Sequence, residues 1–425
     1  VGDELHIPFC KKIAYNRSIN QIEGGVMVEV TRVIAIQLNP TKEQQIIIGH
    51  LTYSASKLWN VANYNIKNKT LKLKELKSKL KKDFWYKNLH SQSAQAVLEK
   101  LKTAWENCYK KHTKAPRFQP KDGHYPVRWK KQGIQISNDK IRLSFSKQTK
   151  QYLKDTHSIE SDYLWISLPK NLSLSRVQEV EIKPHRIYGH TVYVMHIVYR
   201  KTIELDNTNR ENIMAVDLGI RNLATVVTTN KTAAIYDGRE LISRLKLFSK
   251  HKAKLQSAVK KSGQKTSKKL HYLIVKERNY VKDYIHKMST FIIRQAQKER
   301  IKTISIGELS RDITNIDIGK RNNEKLHKIP FGKLCSMIGY KAKEVGIDVM
   351  LVDESYTSQT CCVCGRVDKS NRKYRGLYVC SCGNVINADV NGAVNILKRV
   401  SPNLTLGRSR GNLDIPVRVR VNDVL

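Results

Sequence analysis

Acidic residues are what this sequence is short of. Against 77 Lys and Arg it carries 37 Asp and Glu, a formal net charge of +40 over 425 residues. A lysine-rich thermophile surface pairs its lysines with glutamates, and that pairing is missing. So large an excess repels itself unless something anionic neutralises it. Nucleic acid is the partner this implies, with a membrane surface or another polyanion as the competing reading. Long apolar runs are missing too. No stretch approaches the roughly 18 consecutive apolar residues of a membrane span, and a cytoplasmic location is expected. Residues 1–26 contain Lys11, Lys12 and Glu23 without an apolar core, so they do not read as a secretory signal. They are expected to be an N-terminal extension that adds little to the fold. Cysteine is sparse outside one window: Cys10, Cys108 and Cys335 are scattered, whereas Cys361, Cys362, Cys364, Cys380 and Cys382 cluster. That distribution excludes a disulfide framework and argues for a metal site in a reducing compartment.

The rest of the composition is ordinary. With 40% hydrophobic and 27% charged residues a sizeable core is possible, and the length suits about two to four domains. Val28 to Leu38 reads as a strand. Thr41 with Gln44 three residues on has the spacing of a capping box, and Ile47, Leu51, Ala55, Leu58 and Ala62 then share a helical face. Lys67 to Lys82 alternates lysine with leucine, either a solvated helix face or a phosphate-contacting one. Ser91 to Tyr109 is a second helix. From Lys114, prolines and glycines punctuate short alternating runs, Ile134–Ser146, Leu164–Leu168, Val177–Ile182 and Val192–Tyr199, as in an antiparallel barrel or sandwich. Arg128, Trp129, Lys130, Lys131, Arg186 and Tyr188 interleave basic and aromatic residues there, but strand aromatics are more often core than base platforms.

After a polar linker at 207–212 come strand-like runs at 213–217, 223–228 and 234–236. A long basic helical stretch follows, 241–299, with a break at Ser262-Gly263. Next are strand 301–308, a polar loop to Pro330, helix 331–345, strand 347–352, the cysteine module and helix 389–399. This is the element order of an RNase H-like domain. No core pattern is evident after Pro402.

Asp217 and Glu308 end two of these strands in apolar settings, where an ionised carboxylate is costly without a cation or several donors. Asp389 opens the last helix, where an N-cap is the ordinary explanation. Together in this order the three acids would converge and repel one another unless divalent ions sit between them. Oxygen ligands with open positions suit Mg²⁺, and two ions about 4 Å apart would activate water and stabilise the leaving oxygen of a phosphodiester. Cys361-x-x-Cys364 and Cys380-x-Cys382 supply four thiolates, the set for one tetrahedral, structural Zn²⁺. An iron–sulfur site or a chance cluster is the alternative. Cys362 is out of register for a ligand. Arg366, Lys369, Arg372, Lys373 and Arg375 on the enclosed loop either touch a phosphate backbone or are merely solvated.

Val216-Asp217-Leu218-Gly219, Ile306-Gly307-Glu308-Leu309, Ser358-Gln359-Thr360-Cys361-Cys362-Val363-Cys364-Gly365 and Asn387-Ala388-Asp389-Val390-Asn391-Gly392-Ala393 resemble the nuclease core of the TnpB (OrfB-type) family. These are transposon-encoded RNA-guided DNA endonucleases, kin of miniature type V CRISPR effectors. The resemblance is strong over 213–399 and weaker over 27–201. It implies a multidomain α+β fold: an extension at 1–26, a wedge-type β-barrel at 27–50 and 111–206 split by a helical recognition insert at 51–110, a RuvC-type domain at 207–400 with a zinc ribbon inserted at 355–386, and a tail at 401–425. It also implies Asp217, Glu308 and Asp389 as the metal-binding catalytic acids, a guide RNA and target DNA as partners, and action as a monomer or as a homodimer on RNA. Many relatives carry an acid where this chain has Asn387. A strand-transferring transposase and an RNA-guided binder without cleavage are the rival readings.

Overall fold

The computed structural model describes residues 10–12, 18–22, 25–137, 139–169, 172, 174, 176–187, 190–205, 210–308, 328–374, 376–404 and 411–421. The chain divides into two compact units, one of Glu29–Thr202 and one of Val1–Val28 with Ile203–Leu425. Short strands β1 (Cys10–Lys12) and β2 (Ser18–Ile22) precede the long β3 (Gly25–Gln37).

In the unit Glu29–Thr202, helix α1 (Lys42–Lys67) opens on the expected capping box. Thr41 Oγ1 accepts from the Gln44 amide at 3.3 Å, and Gln44 Oε1 accepts from the Thr41 amide at 2.9 Å. Ile47, Leu51, Ala55, Leu58 and Ala62 are all buried along one face. The lysine-rich stretch does not continue this helix. The chain turns after Lys67 and forms α2 (Leu76–Lys79) and a 3-10 turn at Leu80–Lys82, burying Leu76 and Leu80 while the intervening lysines face solvent. Helix α3 (Phe84–Lys87) leads to α4 (Ser91–Tyr109), whose Ala94, Val97, Leu98, Leu101 and Trp105 join the same core.

The strands that follow are β4 (Val127–Lys130), β5 (Ile134–Ser137), β6 (Lys140–Ser144), β7 (Tyr163–Ser167), β8 (Val177–Ile187) and β9 (His190–Leu205). Among the described residues they form two open sheets rather than one closed barrel: β3-β9-β8-β4 side by side, and β5-β6-β7. Between β6 and β7 lies α5 (Lys147–His157), a helix the strand-like texture concealed. Ser146 caps it by accepting from the Thr149 amide at 3.1 Å, and Leu153 buries its inner face. Trp129 is core, buried with its indole N–H on the Ser144 carbonyl at 2.6 Å. Tyr188 and Arg375 lie outside the described residues.

Among the described residues the second unit is built on a seven-stranded sheet. β10 (Asn212–Leu218), β11 (Asn222–Thr228) and β12 (Ala233–Asp237) form an antiparallel meander. Helices α6 (Arg239–Lys261) and α7 (Lys268–Lys298) follow, joined through Gly263 at φ +69° where the sequence marked a break. β13 (Ile301–Glu308) returns parallel to β10. Then α8 (Phe331–Glu344) leads to β14 (Asp348–Asp353), parallel to β13. Most of the loop before Pro330 lies outside the described residues. The cysteine module carries the two-residue strands β15 (Tyr378–Val379) and β16 (Val385–Ile386). It leads into α9 (Ala388–Val400), and β17 (Val417–Val419) pairs with β12. The sheet order is β1-β14-β13-β10-β11-β12-β17.

One face of this sheet buries Met214, Val216 and Ile304 against α6, α7 and α8 through Leu241, Met288, Ile292 and Ile338. The other buries Ala215, Val227 and Ile235 against Val390, Ala393, Val394 and Leu397 of α9. Strands 10, 13 and 14 are parallel and covered on both faces, which explains their near-continuous apolar runs. Both chain ends add edge strands where the sequence suggested loose extensions: β1 runs antiparallel to β14, and Leu413 and Val421 flanking β17 are buried.

Candidate active site and metal centre

Parallel neighbours bring their carboxyl ends to one edge of a sheet, where ligands of open α/β sheets collect. In register, Val216 pairs with Ile306, Gly307 with Val352, and Glu308 with Asp353. Asp217, near the end of β10, points toward α9. An added Cβ at Gly392 of that helix would stand 2.8 Å from Asp217 Oδ2. An added Cβ at Gly307 would meet Glu354 Oε2 at 2.7 Å and Ile396 of α9 at 2.9 Å. Both glycines leave room for a carboxylate on the α9 side of the sheet.

Asp389 is not the cap of α9. Asn387 is: its Oδ1 accepts from the Asp389 amide at 3.0 Å and the Val390 amide at 3.3 Å. Relieved of that task, the Asp389 carboxylate lies in the first turn facing the cleft. Its Oδ1 accepts from Arg372 Nη2 at 2.9 Å and its Oδ2 from Asn222 Nδ2 at 2.6 Å.

Asp217, Glu354 and Asp389 thus line one cleft of about 880 Å³. Arg221, Arg239, Arg372 and Arg418 line it too. Burial pushes Asp217 well above the usual carboxylate range, the charges of Glu354 and Asp389 push the same way, and Arg372 opposes them. Burial raises Glu354 to about 7, with Asp353 adding to it and Arg399 opposing. Asp217 and Glu354 are oxygen donors that resist ionisation by themselves, which a hard divalent cation relieves, so their chemistry suits such an ion. Glu308 is half-buried at the end of β13 and, among the described residues, is not one of those lining this cleft.

The sequence reading does not single out Glu354, although it lies two residues beyond the strand expected over 347–352. Its turn is tied down from α9. Asn395 Nδ2 donates to the Thr357 carbonyl at 2.8 Å and the Thr360 carbonyl at 2.7 Å, Asn391 Nδ2 donates to Thr360 at 2.8 Å, and Arg399 donates to the carbonyls of Asp353 and Ser355. Within it Tyr356 takes a left-handed φ of 63°, a strain that the surrounding bonds over-determine.

The cysteine module is the second centre. Sγ atoms of Cys361, Cys364, Cys380 and Cys382 all lie within 4.8 Å of one another. Cys361 to Cys382 is 3.7 Å and Cys364 to Cys380 is 3.6 Å. Zinc–sulfur bonds of about 2.3 Å in a tetrahedron require S–S edges of about 3.8 Å, so the quartet could hold zinc. Burial raises the Cys361 thiol, but the amides of Cys364 and Val363 and the Asn384 side chain outweigh it and bring it to about 6. Cys362 is buried outside the quartet, its amide donating to Asn391 Oδ1 at 3.0 Å. Arg366, Lys369, Arg372 and Lys373 are exposed on the enclosed loop.

A TnpB-like protein of Methanocaldococcus jannaschii, MJ0751, is 31% identical over 202 residues, covering 45% of this chain and 70% of that one. The chain belongs to the TnpB-like family. The model OrfB_IS605, described as "Probable transposase", matches residues 196–312, and the Cas12f1-like TNB domain model matches residues 331–396. The first span carries Asp217 and Glu308; the second carries the cysteines, Glu354 and Asp389. The CRISPR-associated endodeoxyribonuclease Cas12f1 of Sulfoacidibacillus thermotolerans is 34% identical over 196 residues, covering 43% of this chain and 44% of its own. The fold extends beyond these spans. A chain of a Cas12f1–sgRNA–target DNA complex matches with a TM-score of 0.62 at 15% identity, over 84% of this chain and 83% of that chain. Among the described residues no helix is long and apolar enough to cross a membrane.

Proposed function

We propose that this TnpB-like protein is an RNA-guided DNA endonuclease that hydrolyses phosphodiesters with a RuvC-type carboxylate site. The observation that carries the reading is one cleft lined by Asp217, near the carboxyl end of β10, and Asp389, in the first turn of α9, among arginines. The sheet order β14-β13-β10-β11-β12, with parallel then antiparallel pairing, agrees with the element order expected for an RNase H-like domain and supports it. The nuclease name of the Cas12f1 relative and the guide and target in the matched complex support it as well. A charge of +40 suits a guide RNA and an RNA–DNA hybrid, with base pairing supplying sequence choice.

Asp217, Asp389 and Glu354 would hold the divalent ions, Mg²⁺ by donor type, and Glu308 at the end of β13 would join them only on turning into the cleft. Bound there, such ions would supply Lewis-acid activation of water and stabilisation of the departing oxygen. This chain's own residues do the rest. Asn222 and Asn387 orient Asp389, Gly392 and Gly307 keep space beside Asp217 and Glu354, and the cleft arginines hold phosphate oxygens as bidentate forks. The cysteine quartet would hold one zinc with no open position, a structural role that fixes the loop carrying Arg372.

The test is cleavage of guide-matched DNA by a complex reconstituted with the RNA that co-purifies from the native host. Mg²⁺-dependent cutting, abolished by Asp217→Ala in a folded complex, is the expected result. The transposase description of the matching family favours strand transfer as the second reading. The same acids would serve it with a DNA hydroxyl in place of water, and a strand-joining assay on transposon ends separates the two.

A further inference from the structure

Both carboxylate oxygens of Asp389 are already engaged. Arg372 holds Oδ1 and Asn222 holds Oδ2. Arg372 comes from the cysteine module, directly after the 3-10 turn Lys369–Asn371, and it reaches across to a residue of α9. The anchorage of that turn is firm. Asp368 Oδ1 accepts from the Ser370 amide at 2.8 Å, and the buried Asn371 donates to Tyr378 Oη, which in turn donates to the Gln359 carbonyl at 3.0 Å. The side chain itself is looser, with Arg372 37% and Asp389 23% exposed. An ion pair this open adds little to stability, so stability is a weak reason for it.

We propose that Arg372 is a positioning residue that exchanges partners. In the DNA-free protein its guanidinium occupies Asp389 Oδ1 and its charge opposes a divalent cation beside that carboxylate. When a nucleic acid strand enters the cleft, the same planar fork moves to a non-bridging phosphate oxygen, for which its geometry is equally suited. Asp389 Oδ1 is then free for the cation. Metal loading and strand binding therefore favour each other, and by linkage the coupling is reciprocal. A nuclease wired this way leaves its metal site closed until substrate is present. No bond is made or broken in the exchange; one charge-assisted hydrogen bond replaces another.

This inference rests on Asp389 being a metal ligand, and the test separates the two. Mn²⁺ binding is measured by electron paramagnetic resonance on the zinc-loaded, guide-loaded full chain, with and without a short single-stranded DNA. Without DNA, Arg372→Ala and Arg372→Gln bind Mn²⁺ about fivefold more tightly than the native protein, whereas Arg372→Lys stays near native because it keeps the charge. With DNA, native affinity rises toward that of the variants. Zinc content is followed in each variant to show that the module remains intact. Equal or weaker Mn²⁺ binding by the zinc-loaded Ala and Gln variants without DNA overturns the exchange. Asp389→Asn reports on the underlying site: if it leaves native Mn²⁺ binding unchanged in both conditions, the metal-site reading fails, and the exchange with it.

Discussion

Gly392 lies directly against Asp217, leaving 2.8 Å between an added Cβ and the carboxylate Oδ2. No other residue type fits there without moving the aspartate. Gly392→Ala should therefore separate stability from function. Alanine is favoured over glycine in a helix interior by about 1 kcal/mol, which offsets part of the local crowding. Displacing a reacting group by an ångström costs about a hundredfold in rate. Cleavage should fall by about that factor, while the melting temperature changes by only a few degrees. Paired kinetics and calorimetry check this.

Glu308 ends β13 and Glu354 directly follows the end of the neighbouring β14, but only Glu354 lines the cleft with Asp217 and Asp389 among the described residues. The two make a discriminating pair. Loss of a carboxylate that holds a catalytic ion costs several kcal/mol of transition-state stabilisation, at least about a thousandfold in rate. In this geometry Glu354→Ala should show a loss of that order. Glu308→Ala should match it only if strand binding turns Glu308 into the cleft. Single-turnover cleavage with both variants decides how the role is divided.

Stability should depend on pH through Glu354. Burial raises its carboxyl from 4.5 to about 7 in the fold. A raised folded value means that the native state holds the proton more tightly. The stabilisation is therefore present below about 4.5 and lost as pH rises through about 7. Its size is on the order of 3 kcal/mol. Without divalent metal, Glu354→Gln should overtake the native protein in melting temperature across that window. Added Mg²⁺ should close the gap at pH 8.

Zinc should be found at one atom per chain, and Cys361→Ser should abolish it. The central sheet would survive, because α9 packs on it through Val390, Ala393, Val394 and Leu397 rather than through the cysteines. Metal analysis with limited proteolysis checks both parts: the variant is cut within 355–386 and remains protected over 212–308.

Much of this site was legible in the sequence because its signals are local. The cysteine spacing, the strands around Asp217 and Glu308 and the helix after Asn387 each sit in a short window with its own period. Glu354 was not legible, because the pairing of Glu308 with Asp353 that brings it beside Asp217 is a matter of parallel register. Nothing local in the sequence shows that Asn387, by capping α9, leaves Asp389 free to face the cleft. In the sequence Arg372 is one basic residue among several, and its contact with Asp389 joins two separate elements. The helix α5 was hidden by a polar composition whose one strong cue, Ser146 as cap, stands at the end of a strand-like run.

The account stands or falls on whether the carboxylate cleft cuts DNA. The direct measurement is cleavage of a guide-matched plasmid by the native guide-loaded complex and by Asp217→Ala, each with Mg²⁺ and with chelator. The native complex should cut only with Mg²⁺, and the folded, RNA-bound variant should not cut at all. Undiminished cutting by that variant would contradict the assignment.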